Sequence, residues 1–156
     1  MNGVLLDYKI NQQTMILIAA KHFDYGTIVY ERDKQLFSNK TPMQLIKAAC
    51  LDHCSTYQGI REAVIHHTGF KRKVPIPISI SKNIYTFPTH STKAYECTWI
   101  FSDHVLSTNR IPSFDNHDAK TIITFKNLQQ FALNVSQHIL DKQIIRSEMC
   151  RFMFLD

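Results

Sequence analysis

Residues 41–69 read TPMQLIKAACLDHCSTYQGIREAVIHHTG, and their punctuation is that of two short helices set between strands. Thr41 offers a hydroxyl cap immediately before Pro42, whose ring presets a helical φ and whose missing amide hydrogen is no loss at the first helical position. Gln44 stands three residues after the cap, the spacing of a capping box. Met43, Ile46, Ala49, Cys50 and Cys54 then recur at helical steps and define one apolar face, with His53 beside it. Ser55 or Thr56 caps a second helix, in which Ile60, Ala63, Val64 and His67 recur at three- and four-residue steps. Gly69 ends it, because glycine enters the left-handed conformation at little cost. The tight junction has the spacing of a helix-turn-helix, a weak signal that many helical hairpins share.

On both sides the pattern changes to that of strands. Residues 14–20 are a short apolar run, Asp24-Tyr25-Gly26 punctuates it, and 27–30 are rich in strand formers, which predicts a strand pair with a turn at 24–26 and a third short strand at 35–38. Beyond the helices, 83–87 and 95–101 flank the polar turn His90-Ser91-Thr92-Lys93. The second of these reads as a central strand, with Tyr95, Cys97, Trp99 and Phe101 on one face and Thr98 and Ile100 on the other. Residues 102–120 are polar, acidic and without period, the pattern of a long flexible surface loop. Another strand pair is expected at 121–125 and 130–135. A closing helix from about 136 to 152 carries Leu140, Ile144, Ile145, Met149 and Phe152. The expected fold is α+β: a mostly antiparallel sheet, a central pair of helices and a C-terminal helix.

A chain of 156 residues with 44% hydrophobic content suits one domain, here expected over 1–156, with a sizeable core. Neither an apolar run of membrane-spanning length nor an export signal is present, so a cytoplasmic protein with no membrane partner is expected. Cys50, Cys54, Cys97 and Cys150 are then expected as reduced thiols, and the acceptor patterns at Asn39 and Asn134 as unmodified.

Charge is the most localised feature. Between Arg61 and Lys82 five basic residues (Arg61, Lys71, Arg72, Lys73, Lys82) face one acid, Glu62, so this window carries +4 of the formal +5. A field concentrated in this way holds polyanions at one face, as a nucleic-acid contact requires; a solvated loop that maintains solubility is the plain alternative. The triplet runs into Val74-Pro75-Ile76-Pro77-Ile78, where two prolines impose extended backbone and reduce donation to a sheet. An edge strand or a stiff extended loop follows. Stiffness lowers the entropy lost when a basic segment lies along phosphates.

Several chemistries are set aside. Cys50, His53 and Cys54 have the sidedness of metal ligands, with Cys97 a fourth, but the spacing lacks the paired knuckles of structural zinc, and buried inert thiols are the preferred reading. His66-His67 adds positive charge at low pH or simply ends a helix. Asp103-His104 and Asp115-Asn116-His117 stand in polar surroundings without a serine elbow, Gly-rich phosphate loop or HExxH motif. No enzyme activity, metal or cofactor is expected. Aromatic pairs interleaved with the basic residues, the mark of single-stranded RNA binders, are missing too.

Read in order, several segments resemble the competence transcription factor family of Gram-positive bacteria, the ComK proteins. They are Pro42-Met43-Gln44-Leu45-Ile46 with Cys50, Ser55-Thr56-Tyr57-Gln58-Gly59-Ile60-Arg61, and the basic lead-in 71–77. The most specific is Asn83-Ile84-Tyr85-Thr86-Phe87-Pro88-Thr89, followed by Glu96-Cys97-Thr98-Trp99-Ile100, His104-Val105 and 121–125. The resemblance covers roughly residues 8–151. It implies an activator that binds paired AT-rich boxes in double-stranded promoter DNA mainly through the minor groove, self-associates as a dimer or higher multimer, bends the site, and is handed by an adaptor to an ATP-dependent protease. It also implies a basic tail beyond Asp156. A short natural relative, a trimmed chain and a poor activator are all consistent with an end at this position.

On that reading Arg72 enters the narrow, electronegative groove of AT-rich DNA while Lys71, Lys73 and Lys82 neutralise flanking phosphates. Thr56, Tyr57 and Gln58 at the mouth of the second helix donate to phosphate, and Arg61 serves the same backbone. The terminal helix offers Ile144 or Phe152 for self-association, unless the monomer's own core buries them. The competing function is a protein-interaction regulator or antagonist that docks an acidic partner on the basic patch without touching DNA.

Overall fold

In a computed structural model the described residues are 3–112 and 118–154. The elements in chain order are β1 (Val4–Leu5), β2 (Thr14–Ala19), β3 (Thr27–Glu31), β4 (Gln35–Ser38), α1 (Pro42–Asp52), α2 (Tyr57–Thr68), β5 (Ile76–Ser79), β6 (Ile84–Pro88), β7 (Trp99–Phe101), a 3-10 turn (Ser102–His104), β8 (Val105–Arg110), β9 (Thr121–Phe125), β10 (Gln130–Leu133) and α3 (Gln137–Met153). This is the expected α+β fold. Seven strands form one sheet in the order β1-β4-β3-β2-β7-β6-β5, antiparallel except for the β1–β4 pair, and β10-β9-β8 form a second, antiparallel sheet.

Side-chain alternation turns the large sheet into the middle layer of two cores. On one face Leu17, Val29, Trp99 and Phe101 meet Leu45, Ile46, Ala49 and Cys50 of α1 and Val64 of α2. On the other, Met15, Ile16, Phe87 and Ile100 meet Ile123, Phe125 and Leu133 of the small sheet and Leu140 of α3. Met15 and Ile16 share a face although adjacent, because the β2–β3 register slips by a residue between Thr14 and Ile16. The far end of α3 returns to the first core through Cys150 and Phe154.

Local signals produced the helices as expected. Thr41 Oγ1 accepts from Gln44 N at 3.2 Å and Gln44 Oε1 accepts from Thr41 N at 2.9 Å, closing the capping box. Thr56 caps α2 by accepting from Gly59 N at 2.9 Å, and Gly69 ends that helix at φ 78°.

Five expectations require correction. The α1 face is Pro42, Leu45, Ile46, Ala49 and Cys50, with Met43 half-buried and Cys54 exposed beyond the helix at φ 65°. In α2 only Val64 is fully buried, and Ala63 and His67 face solvent, because the helix covers the margin of the sheet through Tyr57, Ile60 and Ile65. Of 95–101 only the last three residues are strand, since Ala94 N and Cys97 N close turns on Ser91 O and Ala94 O and Tyr95 is left 50% exposed. β7 is nonetheless interior, beside the middle strand β2.

The polar loop expected at 102–120 instead contains the 3-10 turn and the six-residue strand β8. β8 is the edge of the small sheet and alternates little in burial, which is why its polar sequence lacked a strand period. Asp115-Asn116-His117 lies outside the described residues. Finally, α3 buries Leu140, Gln143, Ser147 and Cys150, while Ile145, Met149, Phe152 and Met153 are 60%, 45%, 80% and 45% exposed. Ile144 is half-buried against the second core.

Candidate nucleic-acid interface

Pro75 leads into the edge strand β5, which holds Pro77, is entirely buried and pairs with β6 through Ile76–Thr86 and Pro77–Tyr85. The basic triplet ahead of it is not part of that extended stretch. Arg72 and Lys73 form a bend, with Lys73 in the left-handed region at φ 49°. The bend is held from behind by α3: Gln143 Nε2 donates to Lys73 O at 2.8 Å and to Pro88 O at 2.8 Å, and Arg146 Nη1 donates to Arg72 O at 3.0 Å and to Gln143 Oε1 at 2.8 Å. The Arg146 guanidinium also lies 4.1 Å from the Phe70 ring centroid, and burial lowers its pKa from the ordinary arginine value. Backbone carbonyls are thus tied inward while the side chains of Lys71 and Arg72 remain exposed and Lys73 is half-buried. The expected stiff arm is a pinned cationic bend.

That bend forms one wall of a cleft of about 480 Å³, lined also by Tyr57 and Arg61 of α2 and by His90, Ser91, Thr92, Ala94 and Glu96 of the β6–β7 connection. Arg61, Lys71, Arg72 and Lys73 therefore converge from two chain segments, with Glu96 the one carboxylate on the lining. A second cleft of about 520 Å³ adjoins it, lined by Met43, Lys47, Leu51, Thr56, Tyr57, Gln58, Thr92 and Lys93. Tyr57 and Thr92 line both, so the two clefts share a wall.

Seven of the eight residues expected at the site line these clefts: Thr56, Tyr57, Gln58, Arg61, Lys71, Arg72 and Lys73. Their local chemistry differs. Burial raises the Tyr57 phenol's pKa against the opposing field of Arg61, so it stays a neutral donor, and its ring meets Trp99 edge to face at 6.5 Å. Thr56 Oγ1 is occupied as a cap acceptor and keeps its own proton to donate. Gln58 Nε2 donates to Glu62 Oε1 at 3.1 Å, which turns this amide along the helix rather than outward.

Lys82 is not at this site. It follows β5 at the opposite end, where Gln12 Nε2 donates to its carbonyl at 3.0 Å, and extended backbone rising ~3.3 Å per residue puts roughly 20 Å between it and the bend. Sequence reasoning missed Lys47 and Lys93. Lys47 is one turn after Met43 on α1, and Lys93 lies in a turn read only as a spacer; both join the cations only through folding.

The candidate metal residues differ in exposure. Cys50 and Cys97 are buried, Cys54 is exposed, and burial pushes the thiols of Cys50 and Cys150 up to about 11 and raises that of Cys97. His53 Nδ1 lies 2.9 Å from Ala49 O within its own helix. Among the described residues no helix is long and apolar enough to cross a membrane.

Comparison with known proteins agrees with this reading of the segments. A competence transcription factor from Bacillus subtilis (strain 168) is 29% identical over 155 residues, spanning 97% of this chain and 77% of that protein. No solved structure matches the chain. The ComK protein family matches residues 6–156, from the approach to β2 through the capped helix pair, the pinned bend and the closing helix, and the chain belongs to that family.

Proposed function

We propose that this ComK-family chain, a competence transcription regulator, holds AT-rich promoter DNA through the minor groove in the cationic clefts, as one DNA-binding domain over 1–156. The observation that carries the proposal is the convergence of Arg61, Lys71, Arg72 and Lys73 on one cleft, with Lys47 and Lys93 on the adjoining one. Six cations on two adjoining clefts neutralise consecutive phosphates and release counterions, which supplies much of the affinity for a duplex. Arg72, exposed on a bend whose backbone is already held, is the side chain presented for the groove, where a planar guanidinium suits the enhanced negative potential of AT tracts. Tyr57 and Thr56 donate to phosphate beside it.

Self-association belongs to the same proposal. Ile145, Met149, Phe152 and Met153 form an apolar patch on the outward face of α3, beside the exposed Lys142 and Glu148, and none of the four lines either cleft, so a second copy held there leaves the cations free for DNA. Such copies bound along one face of a site account for its bending, whose cost of roughly 1–6 kcal/mol must be offset by added contacts.

Gel shifts on AT-box, scrambled and GC-rich duplexes test the assignment, with a minor-groove ligand and guanine-methylated DNA as competitors. Preference for the AT-box, displacement by the groove ligand and tolerance of methylation are expected, with a log–log salt slope of about −4 to −5 for four to six phosphates. Indifference to the groove ligand overturns the minor-groove assignment. Failure to retain any duplex, together with salt-sensitive capture of an acidic protein, favours the partner-docking regulator.

A further inference from the structure

We propose that Phe23 is an apolar wedge that enters a base step beside the cationic clefts and kinks the duplex there; this rests on the DNA-binding reading above. Phe23 sits at the tip of the hairpin joining β2 and β3 and is 106% exposed, the most open of the large hydrophobic side chains among the described residues. The tip around it is held by its neighbours. The His22 ring stacks on Tyr25 at 4.1 Å with planes 12° apart, and Tyr25 packs on Phe37 at 4.7 Å. Asp24 N donates to His22 Nδ1 at 3.1 Å, Ala20 N to Gly26 O at 3.0 Å, and Gly26 N to Ser38 O at 2.8 Å. Phe23 is therefore presented on a braced turn. Burying a phenyl ring is one of the larger gains open to a fold, and here the fold leaves it unused.

The position of the tip selects the occupant. Lys21 Nζ lies 4.7 Å from the ring centroid of Tyr95, which is flanked by the cleft-lining Ala94 and Glu96 and stands two residues from Lys93. Thr27 Oγ1, at the base of the hairpin, donates to the backbone carbonyl of Lys40 at 2.6 Å. Lys21 precedes the tip, Lys93 lines the neighbouring cleft, and the one acid of the tip, Asp24, lies 3.9 Å from His22 Nδ1. A fully exposed ring on a two-stranded ribbon, at the end of the sheet where the β6–β7 connection lines the cationic clefts, has the design of side chains that part stacked bases from the minor groove. Flexible pyrimidine–purine steps such as TA yield most readily to it.

The test compares the wild-type chain with Phe23→Ala and Phe23→Trp on an AT-box duplex carrying 2-aminopurine at a TA step. Affinity is read by gel shift, bend by circular-permutation mobility, and unstacking by 2-aminopurine fluorescence. With nothing packed on Phe23, both variants are expected to melt as the wild type does. Phe23→Ala is expected to lose the fluorescence rise and most of the bend and to bind about tenfold more weakly, while Phe23→Trp retains all three. Equal bend and fluorescence in Phe23→Ala overturn the wedge and leave the DNA reading standing. Loss of self-association in Phe23→Ala with the bend unchanged assigns the ring to a protein contact and overturns it as well. A wild-type chain that retains no duplex removes the DNA reading and the wedge together.

Discussion

The two ends of strand β5 carry the same kind of residue and do different things. At its start Lys71, Arg72 and Lys73 sit in a bend pinned by Gln143 and Arg146 and share a cleft with Arg61 and Tyr57. At its finish Lys82 lies in a turn tied to Gln12, beside a network in which Arg151 contacts Asn83 and lies 3.8 Å from Asp103. Eleven positions apart in a basic window, Lys71 and Lys82 lie beyond opposite ends of one strand. A patch that is continuous in sequence is split by an extended strand, and cations distant in sequence replace the one that is lost.

The largest effect that distinguishes the ends is on DNA. Replacing Lys71, Arg72 and Lys73 together by alanine is expected to weaken duplex binding by about a hundredfold or more at moderate salt and to flatten the salt slope by about 3, with an unchanged circular-dichroism spectrum. Lys82→Ala is expected to change affinity less than about twofold. Equal losses in the two variants break the comparison.

Next comes the pin. Gln143→Leu leaves the carbonyls of Lys73 and Pro88 without their donor in a buried setting, and is expected to cost about 2–4 kcal/mol in denaturant unfolding. Its DNA affinity should fall even under conditions where the variant is fully folded, because the bend then keeps only the Arg146 contact to Arg72 O.

Thr41→Ala removes the cap of the helix that carries Lys47 and is expected to cost about 1 kcal/mol of stability, with affinity preserved in the folded protein. This variant separates loss of fold from loss of the cationic surface.

The smallest effect probes the Lys82 end. His104 Nε2 lies 2.7 Å from Gln12 O, and burial holds the His104 pKa below its ordinary 6.5. A depressed histidine contributes stability that is complete above the unfolded value and lost as pH falls through the folded one, since the unfolded chain then binds the extra proton. Stability against urea is expected to decline below about pH 6.5, and the decline to be shallower in His104→Gln.

The helices contrast in how well the sequence announces them. In α1 and α2 the caps and the terminating glycine stand as read, while the apolar rows agree with burial only in part, at Ile46, Ala49 and Cys50 of α1 and at Val64 of α2. In α3 hydropathy points the wrong way. The helix packs beside backbone carbonyls at the end of β5 and β6, and those acceptors require a donor, so Gln143 goes inward while Ile145, Met149 and Phe152 go outward. No periodicity reveals the need for a donor until the carbonyls are in place. The strand in 105–110 was hidden for a related reason: an edge strand with much of its surface in water keeps no apolar alternation.

Interactions spanning three or four residues could be read before any fold existed, because their partners are adjacent by covalent geometry: the Thr41 and Thr56 caps, the Gly69 terminator, the proline-marked edge strand and the concentration of charge between Arg61 and Lys82. Which cations share the candidate clefts was decided at longer range. Strand β5 carried Lys82 away, the β6–β7 connection brought Lys93 and Glu96 in, α1 supplied Lys47, and two α3 side chains some seventy positions on turned the triplet into a bend. The reason is physical: the field that attracts a polyanion depends on distances between charges in space, and those distances are set by packing against two sheets rather than by order along the chain.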